Sequence, residues 1–224
     1  MKTKLFFFVP LFLIFSFVSC NEDDSMEESQ AQFKSFNKPG DDTIFDIVED
    51  FNALGEFEEL AAALVHVSDA GLEPDLLAAV QSNEVQLTVF APSDLAFKEL
   101  YATLSSVSGD EITEITQIPA PVVRDVLLYH IVEGRRGSNS VVPNKNNKNI
   151  ETLLGVPFQV NKDLEILDVL GLWNPVIGTL DPDPNAGETP GTNANISASN
   201  GIIHSVNHVL VPLTLQQIKD LYGV

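Results

Sequence analysis

Residues 86–97 constrain what this chain can fold into more than any other stretch. Leu87, Val89 and Ala91 alternate with Thr88 and Phe90, a dense β-branched and apolar run that predicts a buried strand. Pro92 has no N–H to give to a ladder, so the strand stops there. Ser93 then occupies a helix N-cap position with Asp94 in the first turn. Leu95, Ala96, Phe97 and Leu100 supply the apolar side of the helix that follows. This strand, proline corner and capped helix make a rigid unit, and nothing in it has the form of a catalytic constellation.

Around that unit the hydrophobic period divides the chain in two. Upstream it is helical. Asp42 or Thr43 can cap a helix reaching about Phe51, with Ile44, Phe45 and Val48 on one side. Residues 56–68 predict a second helix with Phe57, Leu60, Ala61, Leu64 and Val65 inward, and Pro74 opens a shorter one. Residues 105–118 form a connection with a helical turn at 111–115, and 119–129 a further helix with Pro121 in its first turn. From Ile150 the period changes to two, predicting short strands at 150–153, 157–161, 164–169 and 176–180. An exposed loop at 181–193, strands at 195–199 and 201–212, and a closing helix at 214–222 complete the reading. Helices first and strands later is an α+β order, with no alternation of the kind that builds a doubly wound sheet.

The N-terminus reads as an export signal. Lys2 and Lys4 precede an apolar run at 5–18, too short to span a bilayer comfortably as a helix. The run ends at Ser19 and Cys20, the only cysteine of the chain, which has no disulfide partner within it. This segment resembles the lipobox of bacterial lipoproteins, which implies that residues 1–20 are a lipoprotein signal peptide and that Cys20 is lipidated. The acidic run after Cys20 is similar to the signal that sends lipoproteins of Bacteroidetes-like bacteria to the exterior face of the outer membrane, with 21–42 as an acidic tether. Loss of the leader leaves ten basic residues against 32 acidic ones, a formal charge of −22. Such a surface repels phosphate backbones and anionic lipid, which excludes nucleic acid as a partner.

Three segments together resemble the fasciclin domain. Thr88-Val89-Phe90-Ala91-Pro92-Ser93-Asp94-Leu95-Ala96-Phe97 is similar to that family's first signature, Leu128-Tyr129-His130-Ile131-Val132 to its Tyr-His segment, and the run from Asn200-Gly201-Ile202-Ile203-His204 to Val211-Pro212 to its second signature. The resemblance implies a fasciclin-like domain over 43–213, a small β-sandwich or wedge of short strands with helices packed around it, and residues 214–224 as a C-terminal helix on the domain. It implies adhesion or ligand binding at cell surfaces and matrices without catalysis and without a cofactor. Three features depart from the family pattern. Asn207 stands where Asp is more usual, His208 is an additional histidine, and 171–193, carrying Trp173, is longer than the usual connection.

The candidate sites follow from these segments. Tyr129 and His130 either form part of an adhesive surface or pack and hydrogen-bond in the core. Trp173 either stacks on a sugar or protein partner from its turn-rich segment or caps the hydrophobic end of the sheet. Asp181, Asp183 and Asn185 space oxygens at alternate residues, the way a calcium loop begins, but no Glu follows at the twelfth position. His204 and His208, read on one strand face, lie about 13 Å apart, too far for one zinc. Ser93 lacks the Gly-x-Ser-x-Gly setting of a hydrolase nucleophile. The sequence therefore predicts a non-enzymatic, lipid-anchored surface protein that binds a protein or glycan, or else an accessory lipoprotein of a polysaccharide-uptake system.

Overall fold

The computed structural model describes residues 41–52 and 56–223; the segment 1–20 expected as a signal peptide, Cys20, expected to be lipidated, and the expected tether as far as residue 40 lie outside the described residues. The helical half comprises α1 (Ile44–Asn52), α2 (Glu58–Asp69), α3 (Pro74–Gln81), α4 (Asp94–Ser108), a 3₁₀ turn at Ile115–Gln117 and α5 (Ala120–Tyr129). Strand β1 (Leu87–Pro92) interrupts it, and β2 (Ile131–Glu133) follows it. The remainder is a short α6 (Ser138–Val141), strands β3 (Lys148–Ile150), β4 (Phe158–Val160), β5 (Ile166–Leu167), β6 (Ile196–Ala198) and β7 (Gly201–Val206), and α7 (Leu215–Tyr222).

The local chemistry explains the boundaries. Thr43 and Asp46 cap α1 reciprocally: Thr43 Oγ1 accepts from Asp46 N at 3.2 Å, and Asp46 Oδ2 accepts from Thr43 N at 2.8 Å. Ser93 Oγ accepts from Ala96 N at 3.2 Å and so caps α4, which Gly109 ends with φ +79°. Thr214 and Gln217 form a capping box at the start of α7. In α2, Leu60, Ala63, Leu64 and Val67 fall at helical spacing and are the buried face.

The strands form two sheets. In the first, of order β2-β1-β7-β6, β1 and β7 run parallel from Leu87↔Gly201 to Pro92↔Val206, and both outer pairs are antiparallel. The second is the antiparallel sheet β3-β4-β5. Alternation along β1 decides the layering. Leu87, Val89 and Ala91 join the core beneath the helices, whereas Phe90 joins a second core with Tyr129, Ile150, Phe158 and Ile166. Helices, a four-stranded sheet and a three-stranded sheet thus stack in three layers, the α+β arrangement expected, with β1 and the late strand β7 paired at its centre.

Several expected elements differ, among them the strand expected at 150–153, which lies at Lys148–Ile150, and that expected at 164–169, which is confined to Ile166–Leu167. The turn expected at 111–115 lies at Ile115–Gln117, where Glu114 and Gln117 cap it. The strand expected at 176–180 is reduced to bridges at Val176 and Ile177. The strand expected at 201–212 ends at Val206, because side chains replace the ladder beyond it. Leu210 N donates to His130 Nε2 at 2.9 Å and Val211 N to Asp168 Oδ2 at 2.9 Å. His204 and His208 are consequently not on one strand face.

Candidate functional site

The segment 171–193 is laid along the end of β7. Gly178 N donates to Ser205 O, Asn193 N to Gly178 O and Gly191 N to Ile177 O. Gly178 and Gly191 touch: a Cβ on Gly178, itself at φ +82°, would sit 2.3 Å from Gly191 Cα. Glu188 ties the outer part of the segment back, its Oε2 accepting from Leu180 N at 2.8 Å and Asp181 N at 2.9 Å. Ser93, already the cap of α4, donates to Leu180 O at 2.5 Å. Asn207 closes the other side, accepting from Val176 N at 2.7 Å and donating to Asp181 O at 3.4 Å.

Between these walls lies a cleft of about 480 Å³, lined in part by Glu165, Asn174, Thr179, Asp181, Glu188 and Asn207. It shares Glu165 and Asn174 with a hollow of about 150 Å³ on the small sheet, which Asn147, Gln159, Asn161 and Leu167 also line. Burial, together with the neighbouring Asp94 and Glu188 carboxylates, pushes the Glu56 carboxyl above its usual range. Among the described residues no group of three or more His, Cys, Asp and Glu side chains is placed to hold a metal ion.

The residues singled out in the sequence fall in different places. Tyr129 and His130 are fully buried, at 0 % and 1 % exposure, so they form no adhesive surface. The cause is structural employment. His130 Nδ1 donates to Val126 O at 2.7 Å, closing α5, while Nε2 accepts from Leu210 N; Tyr129 packs edge-on against Phe158. His204 is also buried, donating from Nε2 to Arg136 O and accepting from Asn195 N. His208 is largely covered: its side chain is 12 % exposed and its Nδ1 lies 3.0 Å from Glu99 Oε2. Trp173 lies over it, ring centroids 5.1 Å apart, and packs against the helix-side core. The oxygens of the calcium-like run turn back into their own loop, Asp181 Oδ1 accepting from Asp183 N and Asp183 Oδ1 from Asn185 N.

Sequence reasoning missed Asp168, which holds the chain after β7 through Val211 and accepts from Gly171 N at 2.9 Å. A buried carboxylate in a loop leaves no periodic trace; the only sequence hint is an Asp three residues before Gly171.

Two expected outcomes arise here. Replacing Trp173 with alanine is expected to cost about 2 kcal/mol of stability, less than a fully buried tryptophan, because the ring is only partly covered. Urea unfolding that left the variant as stable as the wild type would refute this packing role. The second concerns pH. Burial holds the His130 imidazole down to about 4, below the usual 6.5, against the pull of the Val126 carbonyl. The unfolded chain therefore takes up a proton near pH 6.5 that the native ring refuses until about pH 4. Stability is complete above this window and falls through it as pH falls, by about 3 kcal/mol. The buried His204 ring is lowered too and acts in the same sense. Asp168 has the opposite sign: burial raises its carboxyl above 3.8, so its contribution is present below that value and lost as pH rises through its folded one. Comparing wild type with His130→Gln in urea at pH 7 and pH 4.5 isolates His130. Parallel losses in the two proteins would refute the assignment.

The Fasciclin domain profile matches residues 56–212, more than half of the chain. The chain is 27 % identical over 166 residues to the transforming growth factor-beta-induced protein ig-h3 of Sus scrofa. That alignment covers 74 % of this chain and 19 % of the relative, so the chain spans about a fifth of that protein's length. Among solved structures, the FAS1 domain pair of the insect cell adhesion molecule fasciclin I aligns with 68 % of this chain and 45 % of its own, at 18 % identity and a TM-score of 0.40. By the extent of the profile match, which runs from two residues before α2 through the segment that His130 and Asp168 hold, the chain belongs to the fasciclin domain family, whose members are in general non-catalytic modules associated with cell adhesion.

Proposed function

We propose that this chain is a lipid-anchored, surface-displayed adhesion module. Cys20 carries the anchor in the outer membrane with the domain facing the exterior, and the 171–193 segment forms the recognition surface for a protein or glycan partner. The observation that carries this reading is that segment itself. It is bound along β7, and it walls a cleft instead of filling space. The export-type leader and the acidic tether support display at the cell surface. The decisive experiment compares cells carrying and lacking the chain in adhesion to matrix and to neighbouring cells, with a Cys20→Ala strain alongside. Loss of adhesion on deletion, and release of the chain from membranes in the Cys20→Ala strain, are expected; unchanged adhesion on deletion would refute the module. The amides of Asn174 and Asn207 in the cleft favour a second reading, an accessory lipoprotein of a polysaccharide-uptake system. Protease accessibility on intact cells separates a chain facing outward from one facing the periplasm.

A further inference from the structure

We propose that the cleft walled by the 171–193 segment, together with the outer face of the small sheet, is a binding groove for a neutral glycan; this rests on the adhesion-module reading and gives it a ligand class.

The shape is that of a site for an extended ligand. The 480 Å³ cleft falls in the range of about 300–1,000 Å³ typical of ligand sites, and Glu165 and Asn174 join it to the 150 Å³ hollow. The groove therefore runs from Asn207 across to the strands β4 and β5.

The chemistry selects among ligands. Asn174 is exposed and has no hydrogen-bond partner among the described residues, and Gln159 uses only its oxygen, which accepts from Asn147 at 3.3 Å. A planar amide offers a donor and an acceptor side by side, matching the two hydroxyls of a vicinal diol. Leu167, 49 % exposed at the hollow, gives the apolar surface that the C–H face of a sugar ring needs. No Lys or Arg lines either part, so nothing there neutralises a sulfate or a uronate, and Asp181, Asp183 and Glu188 repel both. One oxygen of each of these carboxylates accepts a backbone N–H, from Asp183, Asn185 and Leu180 respectively, and the other is left to accept from a sugar hydroxyl beside the uncommitted amides of Asn174 and Gln159.

The groove is also pre-organised. Pro182, Pro184 and Pro190 stiffen its rim, Asn161 holds Glu165 at 2.6 Å, and the segment is bonded to β7. Little ordering is then needed on binding. Asn207 and His208 also line the cleft, and the 171–193 segment forms its wall.

The test is affinity electrophoresis of the whole chain in native gels. The gels contain in turn a galactomannan, a xyloglucan, a β-1,3-glucan, polygalacturonate, heparin or poly-L-lysine. Retardation by at least one neutral polysaccharide and by neither anionic one is expected. The Gln159→Ala/Asn174→Ala double variant should bind about ten-fold more weakly or worse with unchanged melting, while Gln216→Ala on α7 binds as wild type. No retardation in any neutral polysaccharide, undiminished binding by the double variant, or groove-dependent binding confined to poly-L-lysine would each overturn the proposal, the last in favour of a basic protein segment. Whole-cell adhesion, scored in parallel, separates this proposal from the reading beneath it. Adhesion that needs the chain but survives the double substitution overturns the groove alone. Adhesion indifferent to deletion of the chain, with polysaccharide binding intact, supports the groove and overturns the adhesion module.

Discussion

Asn200→Ala is expected to lower the free energy of unfolding by about 4 kcal/mol, a large share of the ~5–15 kcal/mol available to a domain. Asn200 is completely buried and joins three elements distant in sequence. Its Oδ1 accepts from Ile44 N at 2.7 Å, satisfying an N–H at the start of α1. Its Nδ2 faces the carbonyls of Val80 at 2.9 Å and Ser82 at 2.8 Å, at the end of α3, with Ala79 O at 3.2 Å. Alanine leaves these groups buried and unpaired, each costing about 1–3 kcal/mol, and opens a void besides. Urea denaturation measures the loss. Asn200→Asp divides it, because a carboxylate still accepts from Ile44 but cannot donate to α3 and faces its carbonyls with a charge. That variant is expected to be at least as unstable as Asn200→Ala. An Asp variant with wild-type stability would show that the α3 contacts contribute nothing.

Asn200 also shows how the two levels of reading divide. The local logic was readable in the residues: the strand, proline corner and Ser93 cap stand where the alternation and N-cap chemistry put them. The order of helices then strands yielded the α+β class, and the two signature segments pair in parallel as β1 and β7. Interactions between distant residues were not readable. Asn200 is chosen by the ends of α1 and α3, and Asp168 by two backbone amides, so neither leaves a periodic trace. Hydrophobic alternation continues through Val209 and Val211 and suggests a longer strand, but the ladder stops where His130 and Asp168 take over its N–H groups. The candidate site was readable as a segment rather than as a surface. The turn-rich composition of 171–193 marked it, yet Trp173, its most conspicuous side chain, turns inward to His208. The cleft and the hollow beside it are lined by carboxylates and amides without a motif, brought together by the small sheet and the end of β7. Tyr129 and His130, prominent in the sequence, serve to hold that end in place.

Gly201→Ala is expected to cost about 4 kcal/mol, although it adds one methyl group and Gly201 does not need a positive φ. Gly201 opens β7 opposite Leu87, where the parallel pair begins, and a Cβ there would lie 2.1 Å from Leu87 O and 2.8 Å from Ile44 Cδ1. Ile44 Cδ1 ends a flexible side chain and can give way. Leu87 O belongs to a backbone held in the ladder, with Leu87 N bonded to Asn200 O at 3.0 Å, so the methyl fits only if β1 and β7 part. Overpacking usually costs about 1–3 kcal/mol; here the obstacle is the central strand pair and the Asn200 contacts beside it, which puts the cost above that range. A second substitution identifies the cause. Ile44→Val removes the softer contact and leaves the carbonyl, so Gly201→Ala/Ile44→Val should recover none of the stability in urea unfolding. Recovery would move the clash to Ile44 and disprove the strand-separation argument. The cleft supplies an independent check, since the effect acts on the strand pair at the end of β7 remote from Asn207. At a temperature where the variant remains folded, its retardation by a neutral polysaccharide that the wild type binds should be unchanged. Weaker binding by the folded variant would mean that the shift at Gly201 is transmitted along β7 to the groove.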